Sequence, residues 1–172
     1  MPSETAEVQV RAGIERDLES LTEIYNYYVR ETAITFDTVA LTPEERRPWL
    51  LSHPEDGPHR LLVATAADSE RILGYATSGP HRPKPAYVTS VETSVYVAPE
   101  SGRRGIGTLL YRALFQALAA QDVHRAYAGI AQPNEASVRL HERFGFRRVG
   151  TFQEVGRKFG RYWDVAWYEK RL

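Results

Sequence analysis

Three groups of residues have types and spacings that could do chemistry. Glu92 stands inside VETSVYV, ten residues before a glycine-rich turn that begins at Gly102. A carboxylate there can take a proton from an attacking amine, directly or through water, if partial burial raises its pKa. The turn itself, GRRGIG, places Gly102, Gly105 and Gly107 where a helix should start. Without Cβ atoms its backbone N–H groups can approach a ligand, and the helix dipole favours an anion there. In PNEASVRLHERFGF, at about 100° per residue, Asn134, Ser137 and His141 share one narrow stripe, opposite Glu135, Arg139, Glu142 and Arg143.

Each group also has a plainer explanation. Glu92 is equally a glutamate on a solvated strand face. Asn134 and Ser137 are equally helix caps, and an inward histidine is often a hydrogen-bonded core residue. The glycine turn excludes two nucleotide motifs. Gly107 is followed by Thr108 with no lysine, so the mononucleotide loop is absent, and G-x-x-G-x-G reverses the dinucleotide order. Five histidines without paired spacing, HERFG in place of H-E-x-x-H, and no cysteine predict no metal site.

The elements that must position these groups follow from periodicity. Val91, Val95 and Val97 alternate with Glu92, Ser94 and Tyr96, the pattern of a strand ended by Pro99. From Gly105, the residues Ile106, Leu109, Leu110, Ala113, Leu114, Ala117 and Leu118 line one helix face. Upstream, a first strand is predicted at Val8–Val10. A helix capped by Asp17 carries the stripe Leu18, Leu21, Ile24, Tyr25 and Tyr28.

Residues 33–60 read as irregular, with Phe36 in a β-branched setting and a capping box at Thr42-Pro43-Glu44-Glu45, and could wall a site. Leu61–Thr65 and Ile72–Thr77 form a strand pair, followed by GPHRPKPAY, a proline-stiffened loop concentrating His81, Arg82 and Lys84. A buried strand from His124 to Ile130, a helix from Asn134 to Gly145, and strands Phe146–Val155 and Tyr162–Tyr168 complete an α/β chain with a mixed sheet covered on both faces.

A chain of 172 residues that is 42% hydrophobic suits one domain, 1–172. Zero formal net charge offers no bulk field for nucleic acid or an anionic membrane. No signal-peptide pattern or long apolar run is present, so a cytoplasmic protein is expected, and the absence of cysteine excludes a cysteine acyl-enzyme.

Together the motifs resemble the GNAT superfamily of N-acyltransferases. Arg104-Gly105-Ile106-Gly107 is similar to the second half of its acyl-CoA loop, with Gly102 where the family has Gln or Arg. PNEASVRLHERFGF resembles its pantetheine-contacting segment. Glu in VETSVYV with His141 is similar to the phosphinothricin and methionine sulfoximine N-acetyltransferase branch, whose activity is linked with herbicide or antibiotic resistance. The resemblance implies acetyl-CoA as co-substrate, with Glu92 and His141 as an acid–base pair. It puts Val95, Tyr96, Val97, Arg103, Arg104, Gly105, Ile106, Gly107, Thr108, Asn134 and Ser137 on the cofactor. It also implies Phe36, Arg82, Lys84 and Tyr87 on a small amine substrate, Val88 replacing an arginine found in some members. The tail GRKFGRYWDVAW, with Lys158, Tyr162, Trp163 and Asp164, is similar to an arm that pairs subunits or shapes the site, implying a homodimer.

Direct transfer to the α-amine of a small amino-acid-like substrate is the expectation. A peptide or protein N-acetyltransferase and a non-catalytic acyl-CoA-binding module are the alternatives.

Overall fold

A computed structural model describes residues 7–102 and 104–172. Seven strands form one sheet: β1 (Val8–Ala12), β2 (Leu61–Ala66), β3 (Ile72–Pro80), β4 (Ser90–Val97), β5 (Arg125–Ala131), β6 (Arg147–Lys158) and β7 (Arg161–Arg171). Their order is β1-β2-β3-β4-β5-β7-β6. The β4–β5 pair is parallel and the other five are antiparallel.

Helices α3 (Ile106–Leu118) and α4 (Glu135–Arg143) cover one face, and α1 (Leu18–Glu31) and α2 (Pro43–Leu51) pack by the other. Strand alternation divides the core accordingly. Leu62, Ala64 and Ala66 of β2 join the α3 side, while Leu61 and Val63 join Leu18, Leu21 and Ile24 of α1.

Two starts of helices differ in mechanism. Thr42 caps α2 as a box: its hydroxyl accepts from Glu45 N at 3.2 Å, and Glu45 Oε2 accepts from Thr42 N at 2.8 Å. Asp17, expected to cap α1, makes no cap bond to that helix. It closes a preceding 3₁₀ turn by accepting from Ile14 N at 2.9 Å, and it pairs with Arg11 of β1 at 2.7 Å. That pair draws the Asp17 carboxyl below its ordinary pKa against the opposing effect of burial.

The buried face of α3 is Ile106, Leu110, Tyr111, Leu114 and Leu118. Leu109, Ala113 and Ala117 are only half-buried, so the stripe is centred one residue away from the expected one. On α4, Leu140 is buried and Ala136 is exposed. β3 runs three residues beyond the expected Thr77, carrying Gly79 and Pro80 against Glu92 and Val91.

Candidate active site

The central gap comes from the sheet. β4 pairs with β5 only across Ser90–Glu92 and Arg125–Tyr127, although β4 continues to Val97 and β5 to Ala131. On its other edge β4 stays paired with β3 as far as Val97. The β5-facing edge of β4 is therefore open beyond Glu92, and alternate backbone N–H and C=O groups point into the gap.

Two cavities meet there. One, of about 270 Å³, holds Glu92 with Phe36, Val165 and Trp167. The other, of about 50 Å³, holds Val95, Tyr111, Asn134, Ser137 and His141. Both are lined by Ile34, Thr93, Ser94, Tyr96, Gly129 and Ala131, so they are two limbs of one cleft.

In the smaller limb, His141 is 3% exposed. Its Nδ1 lies 2.7 Å from the Ser137 carbonyl, which can only accept, so Nδ1 carries the proton. That leaves Nε2 to accept from the Tyr111 hydroxyl at 2.8 Å, and the tautomer follows from this network. Tyr111 Oη is also 3.1 Å from Thr93 Oγ1. Burial holds the imidazole pKa below its ordinary value, opposed by the Ser137 carbonyl, and burial raises the Tyr111 phenol.

Glu92 has a different partner. Its side chain is 37% exposed, and His81 Nδ1 lies 3.1 Å from its Oε2. Strand alternation places Glu92 on the face opposite Thr93, so the expected pairing of Glu92 with His141 is not made by direct contact.

The same alternation turns Tyr96 away from Val95 and Val97. Its ring packs on Tyr75 at 5.4 Å and against Tyr25 and Tyr28, which leaves its backbone alone for a ligand on the α3 side. Ile106 points into the core, so it too can offer only backbone.

The start of α3 suits an anion. Gly105, the N-cap, takes a left-handed φ of 70° and has no side chain with which to cap the first turn, so N–H groups there can face a ligand. At Gly107 a Cβ would stand 3.1 Å from Leu140 and 4.0 Å from Val95, so α3 abuts both α4 and the open strand edge. Asn134 Oδ1 accepts from Ser137 N at 3.2 Å and thereby starts α4. Arg104 and Thr108 are half-buried beside this start, and Arg103 lies outside the described residues.

Of the expected substrate residues, Phe36 joins Glu92. Arg82 lines a neighbouring apolar cavity of about 180 Å³ with His81, Tyr127, Val149, Phe152 and Trp167. Tyr87 touches His81 edge-on, and Lys84 is exposed on the loop; neither lines the Glu92 cavity.

Sequence reasoning missed Tyr111, hidden within an apolar helical stripe, and His81, counted only as a basic loop group. It also left Thr93 unassigned, although period two places it beside Val91 and Val95. No group of His, Cys, Asp and Glu among the described residues could hold a metal ion, and no helix among them is long and apolar enough to cross a membrane.

A mixed sheet splayed at its single parallel pair, with a glycine-started helix at the splay, defines the fold as that of the GNAT acetyltransferases. A phosphinothricin acetyltransferase of that superfamily from Sinorhizobium meliloti, solved in complex with AcCoA, superposes with a TM-score of 0.89 at 28% identity, over 96% of this chain and 88% of that one. The family model for the GNAT acetyltransferase domain matches residues 10–167. The chain belongs to this family. It is 77% identical to a phosphinothricin N-acetyltransferase of Streptomyces coelicolor, over 98% of each chain. It is 35% identical to an L-methionine sulfoximine/L-methionine sulfone acetyltransferase of Pseudomonas paraeruginosa, over 94% of this chain and 92% of that one.

Proposed function

We propose that the protein transfers the acetyl group of acetyl-CoA directly to the α-amine of a small amino-acid-like substrate, of the phosphinothricin, methionine sulfoximine or methionine sulfone kind. The observation that carries this is Glu92, a partly exposed carboxylate in a cavity at the mouth of an open strand edge. The kinship with acetyltransferases of these substrates supports the choice of amine.

In the mechanism the amine arrives as ammonium and gives one proton to Glu92. Its freed lone pair attacks the thioester carbonyl, whose developing negative charge meets backbone N–H groups of the β4 edge near Val95. The C–S bond then breaks, the nitrogen gives up its second proton as the amide forms, and the departing CoA thiolate takes up that proton, while the proton on Glu92 passes to solvent. The CoA phosphates fit the glycine-capped start of α3. The tail contacts Val95, Asn134 and Ser137, and His141 acts on the thioester side of the cleft, where burial keeps it neutral. Phe36 walls the amine cavity, and Arg82 and Lys84, with Tyr87, steer the substrate's anionic end from the rim.

The reaction belongs in the cytoplasm, and modification of an inhibitory amino-acid analogue would give resistance to it. The protein acts as a homodimer through β6 and β7, supported by the exposed apolar side chains there.

The test is release of free CoA from acetyl-CoA across phosphinothricin, methionine sulfoximine, methionine sulfone, spermidine and short peptides. Release with the amino-acid analogues is expected. Glu92→Gln keeps the size of the side chain and removes the base, so turnover should fall by about 10²-fold or more while acetyl-CoA binding stays. Release with peptides alone would discard the substrate, and unchanged turnover of Glu92→Gln at pH 7 and above would discard the role of Glu92.

A further inference from the structure

Glu92 is held by a residue outside the mechanism above. His81 follows Pro80, the last residue of β3, where that strand runs beside Val91 of β4. Its imidazole stacks on Tyr127, with ring centroids 4.5 Å apart and planes 18° apart, and Tyr87 meets it edge-on at 5.8 Å. Tyr127 is the β5 residue in register with Glu92, at the last parallel pair before the strands part.

The stack therefore fixes the ring at the apex of the cleft, with Nδ1 3.1 Å from Glu92 Oε2. The His81 side chain is 14% exposed. Among the described residues no Lys or Arg side chain makes an ion pair with Glu92, and its Oε1 has no protein donor.

We propose that His81 is the positioning residue for the base: its Nδ1–H donates to Glu92 Oε2 and fixes the carboxylate rotamer, so that Oε1 meets the substrate ammonium. This rests on Glu92 being the base. A glutamate on a strand otherwise samples several rotamers, and one donor held by an aromatic stack removes that freedom before substrate arrives. The proton count closes without the imidazole changing state. An N–H bond of the ammonium breaks, an O–H bond forms at Oε1, and Oε2, now a carbonyl oxygen, still accepts from Nδ1–H. His81 is thus a hydrogen-bond donor and does not relay the proton. The groups facing it are Glu92 from β4, Tyr127 from β5 and Tyr87 from the loop, with Arg82 next in the chain.

Two substitutions separate donation from packing. His81→Phe keeps an aromatic ring for the stack on Tyr127 and loses the donor. His81→Asn loses the stack and keeps an N–H at the Nδ1 position. His81→Phe is expected to lower kcat by about tenfold or more, with KM for acetyl-CoA unchanged, and His81→Asn to recover a large part of that loss. In a Glu92→Gln background His81→Phe should cost nothing further, because the two side chains act as one unit. Wild-type kcat in His81→Phe, or an equal fold loss in the Glu92→Gln background, would overturn the assignment.

A reading independent of turnover is the ¹⁵N spectrum of the imidazole. The Nδ1-protonated tautomer is expected in the wild type and its loss in Glu92→Ala; an Nε2-protonated ring in the wild type would overturn the pairing. If Glu92→Gln keeps full turnover while this signature holds, the base assignment fails and the contact stands. If turnover falls and the signature is absent, only the positioning role fails.

Discussion

At the scale of single residues, the cluster of His141, Tyr111 and Thr93 makes a claim that pH can test. The folded state holds the His141 pKa below the ordinary histidine value of 6.5, because burial disfavours the imidazolium. The unfolded chain therefore takes up the proton first on acidification. Stability from this group is whole above about pH 6.5 and is lost as pH falls below it toward the lowered folded value. His53, also lowered by burial, contributes in the same direction. Thermal melts of His141→Phe should thus lose less Tm between pH 7.5 and 5.5 than the wild type does. The variant should start lower at pH 7.5, by about 1–3 kcal/mol, because the Tyr111 hydroxyl loses its imidazole acceptor in the core. An unchanged slope would mean that His141 does not titrate on unfolding. The sequence placed Glu92 on a strand and His141 on a helical stripe correctly, since period alone decides that. It could not assign their partners: Tyr111 is 30 residues from His141 and His81 is 11 from Glu92. Such contacts depend on how α3 and the loop after β3 pack.

At the scale of elements, the stretch before α2 and the β6–β7 hairpin shape the Glu92 side of the cleft. Arg46 of α2 is buried without an ion-pair carboxylate among the described residues. Its guanidinium donates to Leu21 O at 2.8 Å and Tyr75 Oη at 2.9 Å and lies over the Tyr25 and Trp49 rings at 4.2 and 3.8 Å. It thereby ties α2 to α1 and β3. The stretch before α2, read from sequence as a wall of the site, reaches the cleft because the hairpin holds it. Lys158, 5% exposed, donates from Nζ to Thr35 O at 2.8 Å, and Phe36 lies on Gly156. Residues 36 and 156 meet across a sequence distance that no periodicity spans, so this clamp was not legible in the sequence. A Cβ on Gly156 would stand 2.2 Å from Phe36 Cε2. The ring is partly exposed and can swing, whereas the strand cannot, so Gly156→Ala should move Phe36 off its wall at small cost in stability. The expected result is a several-fold rise in KM for the amine, with KM for acetyl-CoA and Tm near the wild type. A Tm fall of many degrees with amine KM unchanged would mean that Gly156 serves packing alone.

At the scale of the whole molecule, the sheet ends on β6, whose outer edge has no strand partner among the described residues. Val149, Phe152 and Val155 of β6, with Phe159 and Tyr162 beyond them, are all more than half exposed. The register shifts between Arg148 and Gly150 and between Phe152 and Gly156, so strict alternation fails and three apolar side chains reach the surface at steps of three. A long edge strand carrying this much apolar surface recruits another strand or aggregates, unless something covers it. A second copy of the chain is the expected occupant, since two identical apolar edges of this kind can cover one another. The same surface borders the cleft that holds Glu92: Val149 and Phe152 share an apolar cavity with His81, Tyr127 and Trp167, and Trp167 also walls the Glu92 cavity. Self-association and catalysis should therefore be linked. Sedimentation of the wild type is expected to give twice the chain mass of 19.5 kDa. Phe152→Asp places a charge on a side chain that is already 56% exposed in the single chain, so it should fold. It should sediment at the single-chain mass at micromolar concentration, and turnover should fall because the wall behind Trp167 is no longer covered. If Phe152→Asp keeps the double mass, β6 is not the contact. If it becomes a single chain at full turnover, each cleft works without a neighbour, and the exposed edge of β6 serves assembly alone.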